Sequence, residues 1–182
     1  MIGARGARLA VLGLFSVASV ACSQGLRDTH AVDPCTGPGA DATGWKVADA
    51  GRFRFSVPGE YQHQTVQGVD SYVGWWSAPG GRNVRFDWGM YSSSLDEPAT
   101  VLRDRVECTT EIGGHRVKLV GGFDAEGRWE ADGRKYVVAA AWRDVHPGVH
   151  LTLSATAADA ADVPVLLSII RSVRFQPGDE ET

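Results

Sequence analysis

Serine, histidine and carboxylate side chains are the groups that could carry nucleophilic or acid–base chemistry in this chain, and none of them falls into a motif. Ser92, Ser93 and Ser94 stand together without the Gly-x-Ser-x-Gly turn of a nucleophile elbow, and they read as a loop and helix cap. Residues 39–46, GADATGWK, lack the Gly-Lys-Ser/Thr spacing of a phosphate loop. His146 and His150 are four apart, the spacing that puts two imidazoles on one helical face for zinc. Pro147 and Gly148 lie between them, so this segment reads as a turn into a strand. His30 stands in a Gly/Pro-rich stretch, and His63 and His115 sit in strand contexts without a nearby Cys or His. Asp70, Asp87, Glu130 and Asp144 are carboxylates on or beside strands. An acid–base pair needs a fixed separation and shifted pKa values, which the sequence does not supply. No catalytic residue, metal ligand or cofactor is expected.

Aromatic side chains offer a different chemistry, that of recognition. Trp75 and Trp76 are adjacent, with Trp88 across a hairpin from them. Successive residues of a strand face opposite ways, so one of the pair should enter the core and the other should face out. An exposed aromatic ring can anchor a sugar ring or a partner protein, or simply pack beneath a loop or helix. The candidate recognition surface is the sheet region around Trp75, Trp76, Asp87, Trp88 and Tyr91.

The cysteines carry the third kind of chemistry. Arg5 and Arg8 precede an uncharged apolar run over residues 9–20, and small residues then lead to Cys22. That run suits a signal-peptide core and is shorter than the roughly 20 residues of a membrane span. Ser19-Val20-Ala21-Cys22 resembles a bacterial lipobox at its last three positions and departs from it at Ser19, where a branched aliphatic is usual. The same residues also fit ordinary secretory cleavage after Ala21. In the first case Cys22 is lipidated and, with more than one acyl chain, holds the protein stably on a membrane. Ser23 after it resembles the default for outer-membrane transfer in a Gram-negative cell. In the second case the protein is soluble in the periplasm or secreted. If lipid takes Cys22, an exported chain is left with Cys35 and Cys108, and a disulfide between them is expected.

The chain has 18 basic and 22 acidic residues, and without Arg5 and Arg8 the balance is 16 to 22. No basic face for nucleic acid is expected. The charges are interspersed, as on a solvated surface.

These groups must be positioned by a strand-rich unit. The organisation expected is a signal peptide at 1–21, a flexible tether at 22–43, a single α+β domain at 44–176 and a polar tail at 177–182. Phe53, Phe55 and Val57 alternate with polar neighbours ahead of Pro58-Gly59. Residues 69–76 and 82–91 flank a turn at 78–81, with Val84, Phe86, Trp88 and Met90 on one face. Ser94 to Glu97 fits a capping box, and the spacing of Ala99, Leu102 and Val106 predicts a short helix to about Glu107. Residues 115–123, 134–143 and 149–156 read as strands, the last with Val149, Leu151, Leu153 and Ala155 inward. Val163, Leu166, Leu167 and Ile170 then form a helical stripe, capped by Asp159 or Asp162 and starting near Pro164.

The opening WKVADAGRFRFSVPGEY and the closing HLTLSATAADAADVPVLLSIIRSVRF resemble the two ends of a PsbP-like domain. That resemblance covers about a quarter of the chain and consists of packing motifs. It implies an antiparallel β-sheet with one short mid-chain helix and one C-terminal helix packed on it, in a docking or accessory protein. A lipid-anchored envelope protein with a protein partner is therefore the first expectation. A periplasmic small-ligand or glycan binder is the alternative, and it requires a concave pocket in which Asp70, Asp87 and Trp88 converge.

Overall fold

The computed structural model describes residues 32–96, 102–129, 133 and 135–176. The signal segment 1–21, Cys22, the first part of the tether to residue 31, Glu130 and the tail 177–182 lie outside the described residues. Ten strands and one helix follow in order: β1 (Lys46–Asp49), β2 (Phe53–Val57), β3 (Gln62–Gln64), β4 (Tyr72–Ala78), β5 (Arg82–Gly89), β6 (Arg103–Ile112), β7 (His115–Asp124), β8 (Lys135–His146), β9 (Val149–Ala157), α1 (Val163–Arg171) and β10 (Arg174–Phe175). A seven-stranded antiparallel sheet runs β3-β4-β5-β9-β8-β7-β6, and a three-stranded sheet runs β1-β2-β10. The class is α+β, as the pattern of elements implies.

The large sheet has two unlike faces. Along β5, β9 and β8 the residues Val84, Phe86, Leu151, Leu153, Ala155, Val138, Ala140 and Trp142 turn to the inner face. There they meet Phe53, Phe55 and Val57 of the small sheet and the apolar side of α1. Phe53 meets Phe86 edge-on at 5.0 Å and Phe55 meets Trp76 edge-on at 5.0 Å. The helical stripe is seated as its spacing requires. Leu166, Leu167 and Ile170 are buried together with Ile169, and Val163 packs at the margin. Each full burial of such a side chain contributes about 2 kcal/mol. Asp159 caps the preceding 3-10 turn by accepting from the Ala161 N–H at 2.9 Å, and Pro164 occupies the first helical turn.

The expected mid-chain helix gives way to a strand. Residues 103–112 form β6, paired over most of its length with β7, and residues 97–101 lie outside the described residues. The turn at Gly113-Gly114 decides this, because both glycines have positive φ (65° and 81°). Two such residues make the tight hairpin turn that matches strand twist. The helical spacing of Leu102 and Val106 is a coincidence that strand pairing overrides. Glu97 of the expected capping box lies outside the described residues, and Ser94 Oγ accepts from Asp96 N at 3.4 Å, a local turn. β5 and β6 lie at distant positions in the sheet, and described residues on either side of the gap at 97–101 pack on its outer face. Leu95 and Leu102 bury there against Val120, Val137, Ala139 and Ala141. Leu102 needs a small residue beneath it: a Cβ on Gly122 would stand 2.9 Å from Leu102 Cβ.

The segment expected as a flexible tether is, from Val32 onward, packed on the domain. Val32 is 1% exposed, and its carbonyl lies so close to Gly121 that no side chain fits there. Arg171 donates to the carbonyl oxygens of Gly37 at 2.8 Å and Pro34 at 3.2 Å, and Ala40 N donates to Pro164 O. Asp33 receives the N–H groups of Cys35 and Thr36, and the Thr36 hydroxyl holds its carboxyl below the ordinary carboxylate range. Composition hid this because the segment has a single bulky anchor. Cys35 forms a disulfide with Cys108 on β6, as expected for an exported chain.

Candidate functional site

The pleat of β4 and β5 divides the five residues of the expected recognition surface between two faces. Trp76 is 7% exposed on the inner face, close to Phe55 and, at 4.8 Å, to the His63 ring. Trp75 faces out, half-buried, with the Arg85 guanidinium 4.8 Å over its ring and its Nε1 donating to Asn83 Oδ1 at 3.0 Å. Trp88 turns inward and stacks on Phe53 at 5.8 Å, while Asp87 turns outward and pairs across the strands with Thr152. Tyr91 lies past the end of β5 and is 76% exposed. The sheet therefore brings Trp76 and Trp88 to one side and Trp75 and Asp87 to the other.

Two concavities open at the same end of the large sheet, where β5 ends, β9 begins and the β6–β7 turn lies. The outer one, about 490 Å³, is lined by Asp87, Met90, Tyr91, the Ser92–Ser94 loop, Arg143 and His150. Its polar groups hold the segment that follows β5. Ser93 Oγ accepts from Leu95 N at 3.2 Å, and the Thr152 hydroxyl donates to Ser93 O. Arg143 and Lys118 both reach Asp96, at 2.8 and 3.0 Å. The Lys118 ammonium, with help from Ser94, holds the Asp96 carboxyl below the ordinary carboxylate range, and Arg105 and Lys118 do the same to Glu107. Asp87 Oδ1 is buried without a hydrogen-bond partner among the described residues.

The inner concavity, about 410 Å³, is lined by Arg52, Trp88, His115, Val145, His146, Val149, Phe175 and Gln176. Its floor is aromatic. Trp88 lies parallel on Phe53, Phe175 tilts against Trp88 at 6.4 Å, and His115 meets Phe175 edge-on at 4.6 Å. Trp142, fully buried, meets Phe175 edge-on from beneath at 5.8 Å. The floor joins β10 to β2, β5 and β7, so only the completed fold assembles it.

His146 and His150 go to different concavities, the inner and the outer, so their spacing brings no pair together. Asp70 stands exposed in the β3–β4 loop, and the side chains of Asp70, Asp87 and Trp88 do not share one cleft. Among the described residues no group of three or more His, Cys, Asp and Glu side chains could hold a metal ion. Sequence reasoning missed Arg52, His115, Phe175 and Val149 as cavity residues. The one signal for them was the strand-like RF ending at Phe175, whose partner strand the sequence did not name.

Large apolar side chains are exposed in the β3–β4 loop (Val66, Val69), at the start of β4 (Tyr72) and just past β5 (Met90, Tyr91). Tyr72 is opposite Trp88 in the β4–β5 register, so the start of β4 and the end of β5 lie at the same end of the sheet. No protein-family model and no curated protein matches the chain. Among solved structures it is similar to a protein of Bacteroides thetaiotaomicron VPI-5482, at 12% identity and a TM-score of 0.44. That match covers 75% of this chain and 50% of the other, so the chain spans about half the length of the structure it matches.

Proposed function

We propose that the protein is an exported envelope lipoprotein, anchored through Cys22, that acts as a docking or accessory module and presents the Tyr72–Tyr91 end of its large sheet to another envelope component. The observation that carries the docking reading is the exposure of Val69, Tyr72, Met90 and Tyr91 beside the strand ends that meet there. Aromatic and methionine side chains gathered on a surface are what interface centres use. The anchor is supported by the cysteine pairing, since Cys35 and Cys108 hold each other and Cys22 is the third of three. From Cys22 to Val32 ten residues span at most about 35 Å, so an anchored domain stays near the membrane. A PsbP-like assignment belongs to the same proposal, supported by the antiparallel sheet and the seated C-terminal helix. If the cell is Gram-negative, the site is the periplasmic face of the outer membrane.

A photo-reactive phenylalanine analogue at Tyr91, and separately at Tyr72, is expected to give one shared crosslinked product in intact cells. The same analogue at Val47, exposed on the small sheet, is expected to give none. Equal products from all three positions, or none from Tyr72 and Tyr91, contradict docking through this end. The alternative reading, a small-ligand binder, is favoured by one specific feature, the aromatic cavity under Trp88.

A further inference from the structure

We propose that the inner cavity binds a small carboxylate carried on a flat apolar body, on the scale of one or two fused rings. This rests on reading the cavity as a ligand site and is independent of lipidation at Cys22. The floor supplies the apolar half. Trp88 and Phe175 tilt against each other at 46°, with Val145 and Val149 beside them. Aromatic walls at such angles take up a planar ring by offset stacking and edge contacts. The volume, about 410 Å³, lies at the small end of ligand cavities, which run from roughly 300 to 1,000 Å³.

The rim supplies the polar half, and its chemistry is one-sided. Its polar members are Arg52, His115, His146 and Gln176, and no carboxylate is among the lining residues. This occurs in a chain whose formal net charge is −4. Arg82, Arg105, Arg128 and Arg143 each meet a carboxylate, whereas Arg52 forms no ion pair among the described residues. Gln176 is oriented: its backbone N–H donates to Arg52 O at 3.0 Å and its side-chain amide donates to Asp49 Oδ1 at 3.1 Å. That first bond ties the end of β10 to the residue carrying the free guanidinium. A planar fork of N–H donors matches a carboxylate in two parallel hydrogen bonds. With an arginine, two imidazoles and an amide but no carboxylate in the lining, the rim favours an anion over the glycan of the alternative reading.

The test is calorimetric titration of the full chain with 2-naphthoate and with its uncharged isostere 2-naphthamide. The expected result is that naphthoate binds about tenfold or more tightly than the amide, the scale of a hydrogen bond to a charged group. Arg52→Gln, at an exposed position, is expected to abolish that preference and leave the unfolding temperature unchanged. Arg54→Gln, on the same strand but outside the cavity lining, is expected to keep it. No binding of naphthoate, equal affinity for acid and amide, or an undiminished preference in Arg52→Gln overturns the proposal. The crosslinking at Tyr91 reads a different surface, so failure of one reading is separable from failure of the other.

Discussion

Replacing Cys35 and Cys108 together by serine is expected to lower the unfolding free energy by about 4 kcal/mol, the chain-entropy cost of opening so long a loop. The two cysteines are 73 residues apart in sequence. Their bond ties the arriving N-terminal segment to β6, which among the described residues lies at the edge of the sheet and pairs with β7 alone. Both partners lean on the bond. The segment has two buried residues, Val32 and Pro34, and a few hydrogen bonds with Arg171, Pro164 and Ser168, which is little to hold some ten residues in place. In thermal unfolding the loss corresponds to a fall of roughly 10 °C for a domain of this size. Reductant is expected to lower the wild-type transition by a similar amount and to leave the double variant unmoved. A fall of less than about 1 kcal/mol would mean that packing alone seats the segment.

Trp142→Ala is the second large effect, with an expected loss of about 3–5 kcal/mol in denaturant unfolding. Trp142 is 0% exposed, and its Nε1 donates to Ile112 O at 3.2 Å. Truncation removes the largest fully buried side chain and also strands that carbonyl at the end of β6. It withdraws the ring beneath Phe175 as well, so the inner cavity should lose its floor. Trp142→Phe keeps a ring and loses the donor, and is expected to fall between wild type and alanine. If alanine and phenylalanine cost the same, the hydrogen bond dominates and the packing argument fails.

What was legible in the sequence follows from the range over which each signal acts. The β4–β5 hairpin, the inward set Leu151, Leu153 and Ala155, and the stripe of α1 are written in neighbours two to four residues apart, and all form. The disulfide followed from the expectation of export and from the count of cysteines. The helix expected up to Glu107 fails because pairing with β7, turned by Gly113-Gly114, outweighs a local periodicity of three apolar residues. Val32 and Pro34 were misread as tether because their binding sites are made by Gly121 and Arg171, distant in sequence. The candidate site suffered most. Alternation along one strand assigned Trp75 and Trp76 correctly to opposite faces, but it could not place Phe175 beside Trp88, since that contact is created by β10 pairing with β2.

Export with anchorage at Cys22 is the central claim, and the intact mass of the membrane-fraction protein, measured with and without reductant, tests it most directly. The account predicts a chain beginning at Cys22, heavier than the bare polypeptide by a diacylglyceryl group and an acyl chain, and gaining two hydrogens on reduction as Cys35 and Cys108 open. A mass equal to the bare chain from Cys22, or recovery of the protein only in the soluble fraction, would contradict the anchor and leave a soluble binder with an unpaired thiol.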